Sequence, residues 1–143
     1  MNKIILSALL ALTLTTSAAV AKPAIIIDGD TIRIDGETIR ILAIDTPETY
    51  KSRCENELVL GLKAKERLRA LLDSGPVTFV RDGLDRYQRT LATVYAGKVN
   101  VGYALLQEGH ALPYKPGGEN KLARLRVWCG QNAKLSDTWR RGK

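Results

Sequence analysis

The sequence predicts an α+β fold, a small β-barrel with helices packed on it. Two observations carry that prediction. Alternating, β-branched runs flank the pair Asp35-Gly36, the strongest short-range signal for a hairpin. Stretches of helical period then interrupt short strand-like runs, in the order β-β-α-β-β-α-β-α.

Each element has a local reason. Residues 24–34 and 37–44 form the hairpin, and a two-residue turn pairs Ile34 with Glu37, Ile32 with Ile39 and Thr31 with Arg40. That register puts Ile32, Ile34, Ile39 and Ile41 on one face and Thr31, Arg33, Thr38 and Arg40 on the other. After Thr46-Pro47 and a polar stretch, Leu58, Leu62, Leu68, Leu71 and Leu72 recur at helical spacing. The helix runs from about Glu55 to Leu72, and Asp73-Ser74-Gly75-Pro76 stops it. Val77–Val80 reads as a short strand, with a loop beginning at Asp82-Gly83. Thr90–Tyr95 alternates as another strand and turns at Ala96-Gly97-Lys98. Asn100 caps a helix through Glu108, which Gly109 ends. Residues 110–114 read as a short final strand, Pro116-Gly117-Gly118 as a loop, and Glu119 onward as a basic helix toward Trp128-Cys129-Gly130.

Composition narrows the function. The 143 residues carry 22 Lys+Arg against 15 Asp+Glu, a formal +7, with 45% hydrophobic and 26% charged residues. This is the profile of one ordinary globular domain; collagen, coiled coil and wholesale disorder are excluded. The single histidine, His110, removes every mechanism that needs two, and two cysteines cannot build a four-thiolate zinc site.

Residues 1–21 read as a signal peptide: Lys3, an apolar run from Ile4 to Leu14, then small residues ending Ala19-Val20-Ala21. A retained membrane anchor is the alternative, but the run falls well short of the ~20 residues a spanning helix needs. Cleavage after Ala21 leaves a single domain, 22–143, in the periplasm or the medium. It removes one lysine and no carboxylate, so the +7 becomes +6, a charge that attracts polyanions. In an oxidising compartment Cys54 and Cys129 read as a disulfide, with two separate thiols as the alternative.

Three stretches concentrate polar chemistry: Asp28-Gly29-Asp30-Thr31, Arg40 to Glu48, and Asp85 to Arg89. Carboxylates gathered at strand ends suit a hard cation such as Ca²⁺ or Mg²⁺. An EF-hand loop is excluded, because Asp28-Gly29-Asp30 leads straight into strand residues. Asp28 reads as a turn residue beside Gly29, with an outer contact to a metal as the alternative. Strand parity places Asp30 and Asp45 on the isoleucine face and Arg40 on the opposite one. In a straight ribbon Asp30 opposes Ile41, and Asp45 lies ~13 Å farther along at ~3.3 Å per residue. The chain must therefore bend between Ile41 and Asp45 if both carboxylates are to meet one ion, and Arg40 joins them only through a bulge or strong coiling.

The string DGDTIRI…RILAIDTPE…DRYQRTLATVY…LPYKP closely resembles the staphylococcal nuclease (thermonuclease) family, from about Ile25 to Tyr114 and more loosely to Trp128. The resemblance implies a five-stranded OB-type barrel with three helices that hydrolyses DNA and RNA with Ca²⁺ as cofactor. By motif position, Asp30 and Asp45 resemble the calcium carboxylates, with the Thr46 carbonyl a further ligand. Glu48 resembles the group that activates the attacking water. Arg40 and Arg89 resemble the two guanidinium groups on the scissile phosphate. Arg86, Tyr87 and Tyr114 resemble nucleotide-pocket residues, with Leu112 where the family carries a second tyrosine. Cys54 and Cys129 lie outside the founding member's pattern.

The chemistry of these residue types agrees. Phosphodiester attack builds charge on non-bridging oxygens, so a divalent cation and two arginines supply the clamp. Without a histidine pair, a carboxylate serves as base. Tyrosine rings offer stacking faces for unpaired bases, which favours single-stranded regions. The expected partner is nucleic acid, the expected state a monomer with no membrane attachment after processing. Two other readings compete. One is a non-catalytic OB-type module for single strands. The other is a nuclease of the Asp…Glu-x-Lys kind, which only Glu119-Asn120-Lys121 matches.

Overall fold

Asp35 and Gly36 both take positive φ, 52° and 81°, as a two-residue turn matched to strand twist requires. In the computed structural model, which describes residues 23–135, this turn joins β2 (Thr31–Ile34) to β3 (Glu37–Ile41). The register is the expected one, Ile34 with Glu37, Ile32 with Ile39 and Thr31 with Arg40. The signal peptide expected at 1–21 lies outside the described residues.

The upstream run differs from the expected single strand. β1 (Ile25–Asp28) turns at Gly29-Asp30 and folds back antiparallel on β2, pairing Ile25 with Arg33 and Ile26 with Ile32. Asp28 Oδ1 accepts the Gly29 N–H at 3.0 Å, an interaction that holds the turn and interrupts the apolar alternation. Asp28 is thus the last residue of β1 and supports the turn that follows it.

Beyond β3, Leu42 and Ala43 form a second turn, with Ala43 at φ 65°. It leads into β4 (Ile44–Asp45), which pairs with β8 (Leu112–Pro113), the final strand expected within 110–114. β5 (Val77–Leu84) outruns the expected Val77–Val80, because the chain passes Asp82-Gly83 as a bulge without leaving the sheet. β6 (Thr90–Ala96) lies parallel to β3 and antiparallel to β5. The strand path is β1-β2-β3-β6-β5, with β7 (Val99–Asn100) added to β6. With three helices this is the α+β, OB-type arrangement that the sequence predicts.

The helices are α1 (Glu55–Asp73), α2 (Val101–Gln107) and α3 (Gly118–Cys129). Asn100 caps α2, its side chain accepting the Tyr103 N–H at 3.0 Å. The core joins Ile32, Ile39 and Ile41 of the sheet to Leu68, Leu71 and Leu72 of α1 and Val101 and Leu105 of α2. Each such side chain contributes roughly 1.5–3 kcal/mol by leaving water. Leu62 is not part of this stripe and is 53% exposed.

Gly61 and Ala64 face inward instead, because α1 packs tightly on the segment 46–49. A Cβ on Gly61 would stand 2.6 Å from the Pro47 carbonyl oxygen, and one on Gly29 would stand 2.7 Å from Thr46 Oγ1. Two side-chain-free positions thus bring the β1–β2 turn, α1 and the Thr46–Glu48 segment together. Gly61→Ala is expected to lower stability by about 1–3 kcal/mol through this overpacking. The same change on an exposed helix face raises stability by up to ~1 kcal/mol, so the sign of the shift in urea denaturation tests the contact.

Cys54 and Cys129 are bonded, tying the N-cap of α1 to the last residue of α3 across a sequence separation of 75. The Cys54→Ser/Cys129→Ser double variant is expected to lose about 2–5 kcal/mol of unfolding free energy. Equilibrium denaturation of the two proteins side by side measures it.

Candidate active site

The two turns dictate the site. Asp30 sits in the β1–β2 turn and Asp45 follows the Leu42-Ala43 turn, so neither obeys the alternation of the ribbon. The backbone pairing does extend to Asp30, whose carbonyl accepts the Ile41 N–H at 2.8 Å. The side chains nevertheless depart from the parity expectation. Ile39 and Ile41 enter the core, while Arg40 meets both aspartates: its Nη2 lies 3.3 Å from Asp30 Oδ2 and 2.9 Å from Asp45 Oδ1. The left-handed residue at Ala43 resets the alternation; the bend that the straight ribbon lacked is here.

The remaining carboxylate oxygens are also engaged. Asp30 Oδ1 accepts the Thr31 hydroxyl at 2.8 Å, and its Oδ2 accepts the Thr46 N–H at 3.4 Å. Asp45 Oδ2 accepts Arg124 Nε at 2.6 Å. Burial raises the Asp30 pKa, Arg40 opposes that rise, and the neighbouring Asp45 adds to it. Glu48 is pushed up to about 7, first by burial and then by the charges of Asp28 and Asp30, with Lys121 acting the other way. The Thr49 hydroxyl donates to Asp28 Oδ1 at 3.1 Å and so pins the loop that carries Glu48.

A second anchor holds Arg89. Its Nε donates to Asp85 Oδ2 at 2.7 Å and its N–H to Asp85 Oδ1 at 3.0 Å, across a tight turn with Gln88 at φ 61°. Desolvation would raise Asp85, but the hydrogen bonds from Arg89 and the Tyr87 N–H outweigh it and hold its pKa below the usual value. Two tyrosine rings each carry a pair of guanidinium groups. Arg86 and Arg89 lie 4.8 and 5.5 Å from the Tyr87 centroid, and Arg40 and Arg124 lie 4.9 and 5.2 Å from that of Tyr114.

One groove of about 890 Å³ gathers Asp30, Arg40, Asp45, Thr46, Glu48, Arg86, Tyr87, Arg89 and Tyr114, every site residue singled out by sequence apart from the disulfide pair. Arg124, which the sequence did not single out, and Lys121, which it offered only in the alternative Glu-x-Lys motif, also line it. The signal was present: Lys121 lies four residues before Leu125 and Arg124 four before Trp128, both buried residues of α3. Of the alternative Glu-x-Lys pair, only Lys121 lines the groove, and Glu119 is exposed. Among the described residues no three His, Cys, Asp or Glu side chains cluster as a metal site; the donor set is two carboxylates beside Thr46.

Residues 38–134 match the family model described as "Staphylococcal nuclease homologue". The chain belongs to the staphylococcal nuclease family. It is 32% identical over 160 residues to an "Uncharacterized endonuclease" of Haemophilus influenzae, covering 98% of this chain and 86% of that protein. It is 32% identical over 141 residues to a "Micrococcal nuclease" of Shigella flexneri, covering 81% of this chain and 77% of that protein. Membership in this nuclease family makes nucleic acid the substrate class.

A stability cost follows from the Glu48 environment. Its folded pKa of about 7 exceeds the ordinary 4.5, so the folded state holds a proton that the unfolded chain has released. The stability so gained is present below the unfolded pKa and lost as pH rises through about 7. With a chelator present, Glu48→Gln is therefore expected to be more stable than the parent at pH ~8, by on the order of 1–3 kcal/mol, and equal to it near pH ~4. Urea denaturation at both pH values checks the sign.

Proposed function

We propose that the chain is an exported, Ca²⁺-dependent nuclease that hydrolyses phosphodiester bonds of DNA and RNA with little sequence specificity. The observation that carries this reading is the meeting of Asp30, Asp45, Arg40, Glu48 and Arg89 along one groove. The printed names of the two relatives, an endonuclease and a micrococcal nuclease, favour cleavage of polymeric nucleic acid.

The donor set fits a hard cation: two carboxylates that already converge on one cationic group, with the Thr46 carbonyl as a third oxygen. Water would complete the six to eight oxygens that Ca²⁺ takes. Bound there, the ion would polarise the phosphate and stabilise the charge that develops on it. Glu48, with a pKa near neutrality, takes the proton of the attacking water. Arg40 and Arg89 hold non-bridging phosphate oxygens, a two-point grip that a lysine cannot reproduce. Arg86 adds a phosphate contact. Tyr87 and Tyr114, 59% and 45% exposed, present rings to bases, which favours single-stranded regions. The apolar 1–21 segment supports export, and the Cys54–Cys129 bond suits an oxidising compartment. The working state is a monomer.

The test is release of acid-soluble nucleotides from heat-denatured DNA by the 22–143 protein, with Ca²⁺ and with a chelator, beside Glu48→Gln. Ca²⁺-dependent release that falls at least ~100-fold in the variant is expected, the scale of a lost general base. Binding without release under any divalent ion would overturn the proposal in favour of a single-strand binding module.

A further inference from the structure

Arg124 is as buried as Arg40, but where Arg40 reaches its two aspartates through Nη2 alone, Arg124 is held through two nitrogens. It is 7% exposed. Its Nε donates to Asp45 Oδ2 at 2.6 Å, its Nη1 donates to the Lys115 carbonyl at 3.1 Å, and its plane packs on Tyr114 at 5.2 Å. Arg86 is exposed and Arg89 half-buried, so those two can reach a phosphate. The helix that carries Arg124 is cross-linked to α1 at Cys129, five residues on.

We propose that Arg124 is a positioning residue for Asp45: it holds Oδ2 so that Oδ1 stays turned toward Asp30, and it does not itself bind phosphate. The proposal rests on the reading of Asp30 and Asp45 as the carboxylates that hold a divalent cation. Three observations argue for it. The guanidinium is committed through two donors and its face to groups within the protein. Asp45 lies on a strand of only two residues, which fixes its backbone less firmly than a long strand would. The opposite oxygen of the same carboxylate meets Arg40 at 2.9 Å, so losing Arg124 would leave Asp45 held from one side only.

Simple electrostatics predicts the contrary. A cation beside a cation site repels the incoming ion, so removing Arg124 should then strengthen binding. Positioning predicts weaker binding, because outer partners that orient a ligand carboxylate typically account for 10–100-fold in metal affinity. The signs are opposite, and one titration separates them.

Calorimetric titration of the 22–143 protein with Ca²⁺ is the test, on the parent, Arg124→Gln and Arg124→Lys, each checked for folding by near-UV circular dichroism. The expected result is a 10–100-fold weaker Ca²⁺ affinity in both variants, since lysine keeps the charge but cannot make the planar hold on Asp45, Lys115 and Tyr114 together. Unchanged or tighter binding in Arg124→Gln overturns the proposal, as does full recovery in Arg124→Lys. Should Arg124→Gln not fold, Arg124→Lys alone decides, with parent-like affinity overturning it. Affinity for a single-stranded oligonucleotide in chelator is expected to stay within about twofold in Arg124→Lys and to fall no more than that in Arg124→Gln; a tenfold loss in either would make Arg124 a phosphate ligand and overturn the proposal. If the parent itself binds no Ca²⁺, the cation-site reading fails and this inference with it; parent binding with indifferent variants defeats the inference alone.

Discussion

Two carboxyl groups brought together in a partly dry groove stay ionised together only with a cation between them; otherwise one takes up a proton. Arg40 supplies that cation, reaching Asp30 at 3.3 Å and Asp45 at 2.9 Å through one nitrogen. Much of the architecture serves that meeting. The Gly29-Asp30 turn lifts one aspartate out of the ribbon, the Leu42-Ala43 turn swings the other back, and β8 pairs with β4 to hold it there. Gly29 and Gly61 let α1 and the Thr46–Glu48 segment close around them. The isoleucines on either side of Arg40 bury themselves in the core, so the rigidity of the hydrophobic packing passes directly to the guanidinium between the two aspartates.

The same arrangement is a source of instability. Asp28, Asp30 and Asp45 all raise the pKa of Glu48, and burial raises it most. A fold selected for stability alone would neutralise or solvate these groups. Keeping them close leaves Glu48 a carboxylate that titrates near neutral pH, the property its proposed role as base calls for. The disulfide ties the start of α1, six residues past Glu48, to the end of α3, the helix that carries Lys121 and Arg124, and so offsets part of that cost.

The sequence carried the elements with strong local codes. Asp35-Gly36 specified the hairpin and its register, Asn100 the start of α2, and the β-branched alternation the strands around them. It was misleading where one residue changes direction. Residues 24–34 look like a continuous strand because Asp28-Gly29-Asp30 preserves the length of the run while reversing its course. Ala43 gives no warning that it will adopt a left-handed conformation, since alanine has no intrinsic preference for it. The turn it forms with Leu42 is where Asp45 comes to share a face with Arg40. Leu62 misled in the other sense: a leucine at helical spacing lies outside while Gly61 faces in, because backbone proximity to Pro47, not hydrophobicity, sets the rotation of α1 there.

The arginine–tyrosine pairs show why site residues were legible as types but not as a network. Tyr114 directly follows β8, and its N–H donates to the Ala43 carbonyl at 2.9 Å. The ring that packs on Arg40 and Arg124 is therefore built on the backbone that aims Asp45. Tyr87 stands beside Arg86 and Arg89 in the same way, in the turn that Asp85 closes. In each case an aromatic plane restrains long cationic side chains whose freedom would otherwise be lost on binding. Leu112, paired with Asp45 across β4 and β8, is not among the residues that line the groove, so both of these platforms stand without it.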